Sequence, residues 1–363
     1  MNGNSNVPKD LNYEPNFRLT RSRKPLVLLG IGILLMVVFL YAFIDLGKSA
    51  SIIASVNLTI YSFGFVSVIL GIFAYTLAWH FFLTDAGVNI GLIKEFEVVW
   101  VSIFLNLLIP TGSVGGEVVR AYIVQNESKV HGCDRPIGDI AASIVAHRIL
   151  VMVPFLLGSV VGFIYLITAY SVSSLILNLA CLATALSAGA FLIACYLLLF
   201  PEKVGKLIHS LIRLIYRLPV RSLKKKIEKS QETINRNIEA FSHGLKVAKR
   251  KLKIFILSLF FAVLFWVFDV LVAFFVFQAL AFPIPLGVLV FVYTIGVMLQ
   301  MIPIGIPGMV GAVEITMITL YTITGIPLEV ATAATILIRV VMFWFEIIVG
   351  GLVTYVSLRK IAI

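Results

Sequence analysis

Between Pro25 and Val356 the chain is a series of long apolar runs separated by short polar stretches. Several runs reach the ~20 residues that cross a bilayer as a helix. In hydrocarbon no water satisfies the backbone, so only helices and closed barrels can span. The runs are continuous rather than alternating, which argues against a barrel. Composition agrees: 60% of residues are hydrophobic, mean hydropathy is +1.04 and 13% are charged, where a soluble domain carries about 25%. The chain is therefore expected to be an all-α, polytopic membrane helix bundle.

Charge orients the spans. Of the net charge of +11, all resides in residues 201–253, which hold 15 Lys/Arg against 4 Asp/Glu, and the rest sums to zero. A basic stretch bordering a span reads as a cytoplasmic loop under the positive-inside rule, with attraction to anionic headgroups as an added effect. No recognition motif accompanies the charge, so no nucleic acid partner is expected. Arg18, Arg21, Arg23 and Lys24 before the first span, and Arg359 and Lys360 after the last, place both termini in the cytoplasm of a multi-pass cell-membrane protein. The first run lacks a following small-residue cleavage site and reads as a retained helix. Cys133, Cys181 and Cys195 suggest no disulfide.

This divides the chain into a disordered cytoplasmic arm at 1–24, a first membrane half at 25–200 and a second at 254–363. Between the halves, residues 201–253 read as basic amphipathic cytoplasmic helices, with Ile227, Ile234, Ile238, Phe241 and Leu245 on one face. Spans are expected near 25–44, 57–79, 138–166, 175–200, 254–280 and 328–356, with a short loop holding Asp45 and Lys48 after the first.

Each half also contains a broken apolar segment. One runs through Leu105, Asn106, Ile109, Pro110, Gly112, Gly115 and Gly116 to Glu117; the other runs through Ile302, Pro303, Gly305, Pro307, Gly308 and Gly311 to Glu314. Each Glu is followed by a long apolar run with a lone arginine, Arg148 or Arg339. The segments 96–120 and 286–324 are expected to be re-entrant hairpins, since their first arms are too short to cross. The charge map sends the first in from the cytoplasm and the second from outside. Ile137–Arg148 also parallels Pro327–Arg339 with one residue of slip, and across the two halves Pro, Gly, Glu and Arg recur in one order. Together these predict an inverted-topology repeat, and broken segments at corresponding places in two halves point to a transport site.

Irregular backbone at membrane depth is tolerated where protein or a water-filled cavity covers it. Pro110, Pro303 and Pro307 are read as structural breaks; Gly112, Gly115, Gly116, Gly308 and Gly311 would present backbone N–H groups to an anion at a helix start. A membrane Arg needs a partner or a wet pathway, and guanidinium grips phosphate or carboxylate as a fork. Arg148 and Arg339 are thus candidates for phosphate binding or for ion pairs with Glu117 and Glu314. Glu117 and Arg120, at i,i+3, can pair. Asp269, Glu314 and Glu346 in apolar runs are candidate proton sites, and His147 reads as a packed polar residue. No P-loop, GxGxxG, HExxH or GxSxG motif occurs. No enzyme activity, cofactor or metal site is expected.

The order Ile109-Pro110, Gly115-Gly116-Glu117, Arg120, His147-Arg148, Ile302-Pro303, Pro307-Gly308, Gly311, Glu314 and Arg339 resembles the lysylphosphatidylglycerol synthase transmembrane region, or flippase-like, family over roughly residues 25–357. Val313 stands where the family has Gly before the second Glu. In two-domain members this module is thought to flip an aminoacylated phospholipid made by an attached cytosolic transferase. No transferase follows Val356 here, so aminoacyl transfer is not expected. The resemblance implies a stand-alone lipid translocase for an anionic-headgroup lipid, such as an aminoacyl-phospholipid or a polyprenyl-phosphate sugar. The alternatives are a proton-coupled carrier of a small anionic solute, a membrane enzyme acting on lipid-linked substrates, and a scaffold for a separate lipid-modifying enzyme. Membrane lipids are the expected partners, and a homodimer is left open.

Overall fold

A computed structural model describes residues 46–109, 115–130, 135–170, 251–300 and 306–361, with a few separate positions between 185 and 241. The N-terminal arm, the first expected span, most of the fourth, most of the basic stretch 201–253, and the tip residues Pro110, Gly112 and Pro303 lie outside the described residues. What is described is all helical: α1 Leu46–Ala54, α2 Leu58–Asp85, α3 Leu92–Leu108, α4 Gly115–Val130, α5 Ile137–Ala169, α6 Leu252–Ala279, α7 Leu286–Gln300, α8 Ala312–Ile323, α9 Leu328–Arg339 and α10 Glu346–Ile361. A single 3₁₀ turn, Pro307–Met309, precedes α8, and a π-helical segment, Val340–Phe345, joins α9 to α10. Residues 46–54, expected as loop, form a helix that packs on α9.

Among the described residues four helices are long and apolar enough to cross a membrane: α2, α5, α6 and the continuous α9–α10 rod, Leu328–Ser357. Large apolar side chains such as Phe63, Phe73, Leu157, Phe260, Ile348 and Leu352 cover the outside. Small and hydroxylated residues such as Thr76, Ser143, Ser159, Thr294, Thr332 and Thr335 are buried between the helices. This is the distribution of a bundle solvated by lipid, where small polar residues mediate close helix contact. The chain is a multi-pass membrane protein.

The central pair is α2 against α6. At one end the Asn57 N–H donates to the Ala279 carbonyl at 2.9 Å; at the other Lys251 pairs with Asp85. The two 28-residue helices are therefore antiparallel over their whole length, as the charge map requires. They approach closely at mid-length, where a Cβ on Gly71 would sit 3.3 Å from that of Phe268.

Between the long helices sit two short hairpins. In the first, α3 and α4 return to a common base, where Lys94 bridges Glu127 at 3.0 Å and Glu97 at 3.4 Å. Burial works against the Lys94 ammonium, yet the two carboxylates outweigh it and hold its pKa above the ordinary value. His80 of α2 holds the start of α3 through the buried Glu95 at 2.9 Å. Toward the tip, a Cβ on Gly116 would lie 2.1 Å from the Ser102 carbonyl oxygen, so glycine there allows the arms to touch. In the second hairpin, α7 packs on α8 with Gly296 facing Met317 and Val313. At about 1.5 Å per residue, the 15 residues of α7 reach ~22 Å, short of a ~30 Å hydrocarbon core.

The packing pattern repeats between halves. Helix α3 lies antiparallel against α10, with Phe104 and Trp100 at Gly350 and Glu97 accepting from the Ser357 hydroxyl. Helix α7 lies antiparallel against α5, with Phe291 at Gly162 and Gly287 at Tyr165. The 3₁₀ turn at the second break packs against α3, so the hairpins meet inside the bundle.

Candidate functional site

The two glutamates occupy equivalent places. Glu117 lies in the first turn of α4 and Glu314 in the first turn of α8, each directly after its glycine break. A carboxylate there complements the positive end of the helix dipole. Each reaches the lone arginine of the following long helix.

In the second half the arrangement is closed on all sides. Glu314 Oε2 accepts the Gly311 N–H at 2.6 Å, a reach back across the first turn, and its Oε1 accepts from Arg339 Nε at 2.6 Å. Arg339 Nη2 donates to the Gly308 carbonyl at 2.8 Å, and the guanidinium lies 4.5 Å over the Phe343 ring. Gly308 has φ of +55°, and a Cβ there would fall 2.0 Å from Phe343 Cε2. Only glycine turns the chain there and lets the carbonyl face Arg339. Arg339 Nη1 is buried with no hydrogen-bond partner among the described residues.

In the first half one glutamate serves two arginines. Glu117 Oε1 accepts from Arg148 Nε at 3.0 Å and its Oε2 accepts from Arg120 Nη1 at 3.1 Å. Arg120 is fully buried, lies 3.5 Å over the Trp79 ring and 5.6 Å from the Tyr75 ring. Its Nε and Nη2 have no hydrogen-bond partner among the described residues. Trp79 is itself fixed by donation from its Nε1 to Ser143 Oγ at 3.2 Å. His147 packs against the Tyr75 ring at 4.3 Å and neither ring nitrogen has a partner among the described residues. The Arg148 side chain retains 27% exposure, against 5% for Arg339.

The sequence reading left phosphate binding and internal pairing open for these arginines, and both are found in ion pairs with the glutamates it named. Two of the glycine N–H groups proposed for an anion have protein partners: Gly116 N–H donates to Asn106 Oδ1 at 2.7 Å, and Gly311 N–H donates to Glu314. Gly115 opens α4 and Pro307 opens the 3₁₀ turn.

Several participants escaped the sequence reading. The Trp79–Tyr75 platform under Arg120, and Phe343 under Arg339, look like ordinary lipid-facing aromatics in a linear string. Asn106, alone in an apolar run, was the legible hint for a tip hydrogen bond. The irregularity after each arginine is also new: Pro154 lies inside α5 beyond Arg148, and the π segment begins directly after Arg339. Tyr61 of α2 donates to the Leu337 carbonyl at 2.9 Å beside that segment, an added partner of the kind that accompanies a disturbed helical ladder.

The halves are electrostatically unequal. Arg120 of α4 stands where α8 has Met317, three residues after the glutamate in each case. Asp269 of α6 stands at the same distance from its helix start as Tyr75 of α2. Around the glutamate–arginine pairs, the first half thus adds a cation, Arg120, and the second adds the acids Asp269 and Glu346.

Known proteins of similar sequence include proteins named UPF0104 membrane proteins. The chain is 25% identical over 346 residues to a UPF0104 membrane protein of Pyrococcus horikoshii, covering 91% of this chain and 96% of that one. It is 25% identical over 340 residues to one of Methanocaldococcus jannaschii, covering 91% and 95%, and 23% identical over 273 residues to one of Methanothermobacter thermautotrophicus, covering 74% and 77%. No solved structure matches the chain. Residues 27–350 match the family described as the lysylphosphatidylglycerol synthase TM region, and the chain belongs to that family.

Proposed function

We propose that this protein is a flippase-like translocase, a carrier rather than an enzyme, that moves a lipid with an anionic headgroup across the bilayer. An aminoacyl-phospholipid or a polyprenyl-phosphate sugar fits the chemistry. The observation that carries this reading is the surplus of arginine donors at the hairpin starts. Arg120 and Arg339 are buried among apolar and aromatic groups, yet Nε and Nη2 of one and Nη1 of the other have no acceptor among the described residues. A guanidinium has five N–H donors and cannot shed its charge. Leaving such donors idle inside a bundle is costly, and a phosphate supplies the missing acceptors in the matching fork geometry.

Glu117 and Glu314 act in this scheme as internal stand-ins for the phosphate. When the site is empty the carboxylate satisfies the arginine; when lipid arrives, phosphate oxygens take over and the glutamate is released to its helix start. The acyl or prenyl chains remain in the surrounding lipid. The two hairpins are read as re-entrant and the two halves as an inverted repeat. Support comes from the antiparallel α2–α6 pair, from the matching pairs α3–α10 and α5–α7, and from the short hairpin arms that meet inside the bundle. Alternating access then needs only that the halves exchange roles about the site.

The test is reconstitution of the full chain in vesicles carrying fluorescent phosphatidylglycerol in one leaflet, with dithionite quenching to count exposed label. The Arg148→Ala/Arg339→Ala double variant should lose lipid movement while remaining folded by circular dichroism. Unchanged movement in that variant would sink the site assignment.

A further inference from the structure

The second half holds two buried acids that the lipid site does not use. Asp269, midway along α6, and Glu346, at the start of α10, are both buried. Tyr293 of α7, 2% exposed, stands beside Asp269. Its electrostatic neighbours are Asp269, Glu346 and Tyr321 of α8; those of Glu346 are Asp269 and Arg339. From α2 the facing residue is Gly71, where a Cβ would lie 3.6 Å from Asp269 Oδ1. From α5 it is Gly158, against Trp266 one turn before Asp269. From α9 the facing charge is Arg339, already held by Glu314.

The charge count does not close. Arg339 serves Glu314, which claims its Nε, and lies near Glu346, while Asp269 has no cation among its electrostatic neighbours in the described residues. Burying two further uncompensated carboxylates in this interior would cost several kcal/mol each. A bound proton on each removes that charge.

We propose that Asp269 and Glu346 form a proton-binding pair that couples lipid movement to proton movement. This rests on the translocase reading above. A proton adds to a carboxylate oxygen of Glu346 or Asp269 from one side and leaves to the other, with the Tyr293 hydroxyl beside Asp269 as the relay. The link to cargo is Arg339. When Glu346 is neutral it makes no claim on Arg339, which is then free to hold phosphate. When phosphate occupies Arg339, no cation remains to support an ionised Glu346. Proton and lipid therefore favour each other's binding, and by linkage the effect is reciprocal. The two travel in the same direction. In the first half Tyr75 stands in the place of Asp269, so the coupling is assigned to the second half.

The experiment uses the full chain in phosphatidylcholine vesicles with fluorescent phosphatidylglycerol and an imposed pH difference of one unit. Coupling of one proton per lipid shifts the leaflet distribution of label toward tenfold, since one pH unit is worth about 1.36 kcal/mol. In Asp269→Asn and Glu346→Gln the label should distribute evenly whatever the gradient. A pH response in the double variant equal to that of the wild type, or a wild-type response to a sodium gradient instead, overturns the proposal. If the wild type moves no lipid at all, the translocase reading fails by itself. The proton pair is then judged by infrared difference spectroscopy of the wild type. A protonated-carboxyl C=O band that titrates with pH and diminishes in each single variant supports it, and absence of that band overturns it.

Discussion

Removing Arg339 and removing Arg148 should have unequal effects on stability, although the two arginines are sequence equivalents. Arg339→Ala strips a nearly inaccessible site. It removes the partner of Glu314 at 2.6 Å and the donor to the Gly308 carbonyl at 2.8 Å, and exposes the Phe343 face. Breaking one side of a buried pair costs about 3–5 kcal/mol, because the other charge stays behind. Hydrogen bonds count for less in a membrane protein, about 0.6 kcal/mol on average, since the unfolded state keeps its helices and finds partners. The low end, about 3 kcal/mol, is therefore expected. Arg148→Ala leaves Glu117 still paired with Arg120 at 3.1 Å, and Arg148 is 27% exposed to begin with. A partly exposed pair is worth about 1 kcal/mol at most. The gap of about 2 kcal/mol is roughly a thirtyfold difference in folding equilibrium. Unfolding of purified protein by sodium dodecyl sulfate in mixed micelles measures it. Equal losses in the two variants would refute the argument. So would an Arg339→Met/Glu314→Leu double variant as unstable as the two single changes added together, because removing both charges should recover most of the loss.

Three further outcomes follow from the same geometry. Gly116→Ala places a Cβ 2.1 Å from a backbone oxygen of α3, so the first hairpin must open; a loss of about 1–3 kcal/mol should appear in the same unfolding assay. Tyr61→Phe removes the donor to Leu337 at 2.9 Å and should cost about 0.6–1.7 kcal/mol, with faster amide exchange over residues 337–345 by mass spectrometry. Because the folded Lys94 pKa is raised, its small contribution is complete below the ordinary lysine value of about 10.4 and is lost as pH rises through the folded value. An alkaline unfolding titration should show that loss in the wild type and not in Lys94→Gln.

How much was legible in the chain depends on the range of the cause. The helices were legible because hydrocarbon forces each span to satisfy its own backbone, so a run such as Leu252–Ala279 declares itself by composition. The relative direction of α2 and α6 was legible because charged residues near the span ends sort by side of the membrane, and Asp85 and Lys251 are found together. The hairpins were visible as Pro and Gly inside apolar runs too short to cross. Glu117 and Glu314 stood out as carboxylates in helix first turns, and Arg148 and Arg339 as charges that hydrocarbon does not tolerate unaccompanied. Residues 46–54 were misread as loop because a nine-residue helix with Lys48 and two serines has little apolar signature; packing on α9 holds it.

What tertiary structure decided is which of two near-identical halves does what. Tyr75 and Trp79 become a platform for Arg120 through helices distant in sequence, whereas Phe343 lies under Arg339 from one turn along the same rod. Asp269, with no visible partner along its own helix, meets Tyr293 and Glu346 only when α6, α7 and α10 come together. The chain by itself determined a membrane bundle with two broken segments, each trailed by a glutamate and an arginine, since those follow from local composition and the cost of charge in lipid. Packing alone set the surroundings of each pair, with two arginines on Glu117 in the first half and Asp269 an electrostatic neighbour of Glu346 in the second, because an electrostatic environment is a sum over neighbours that no single helix contains.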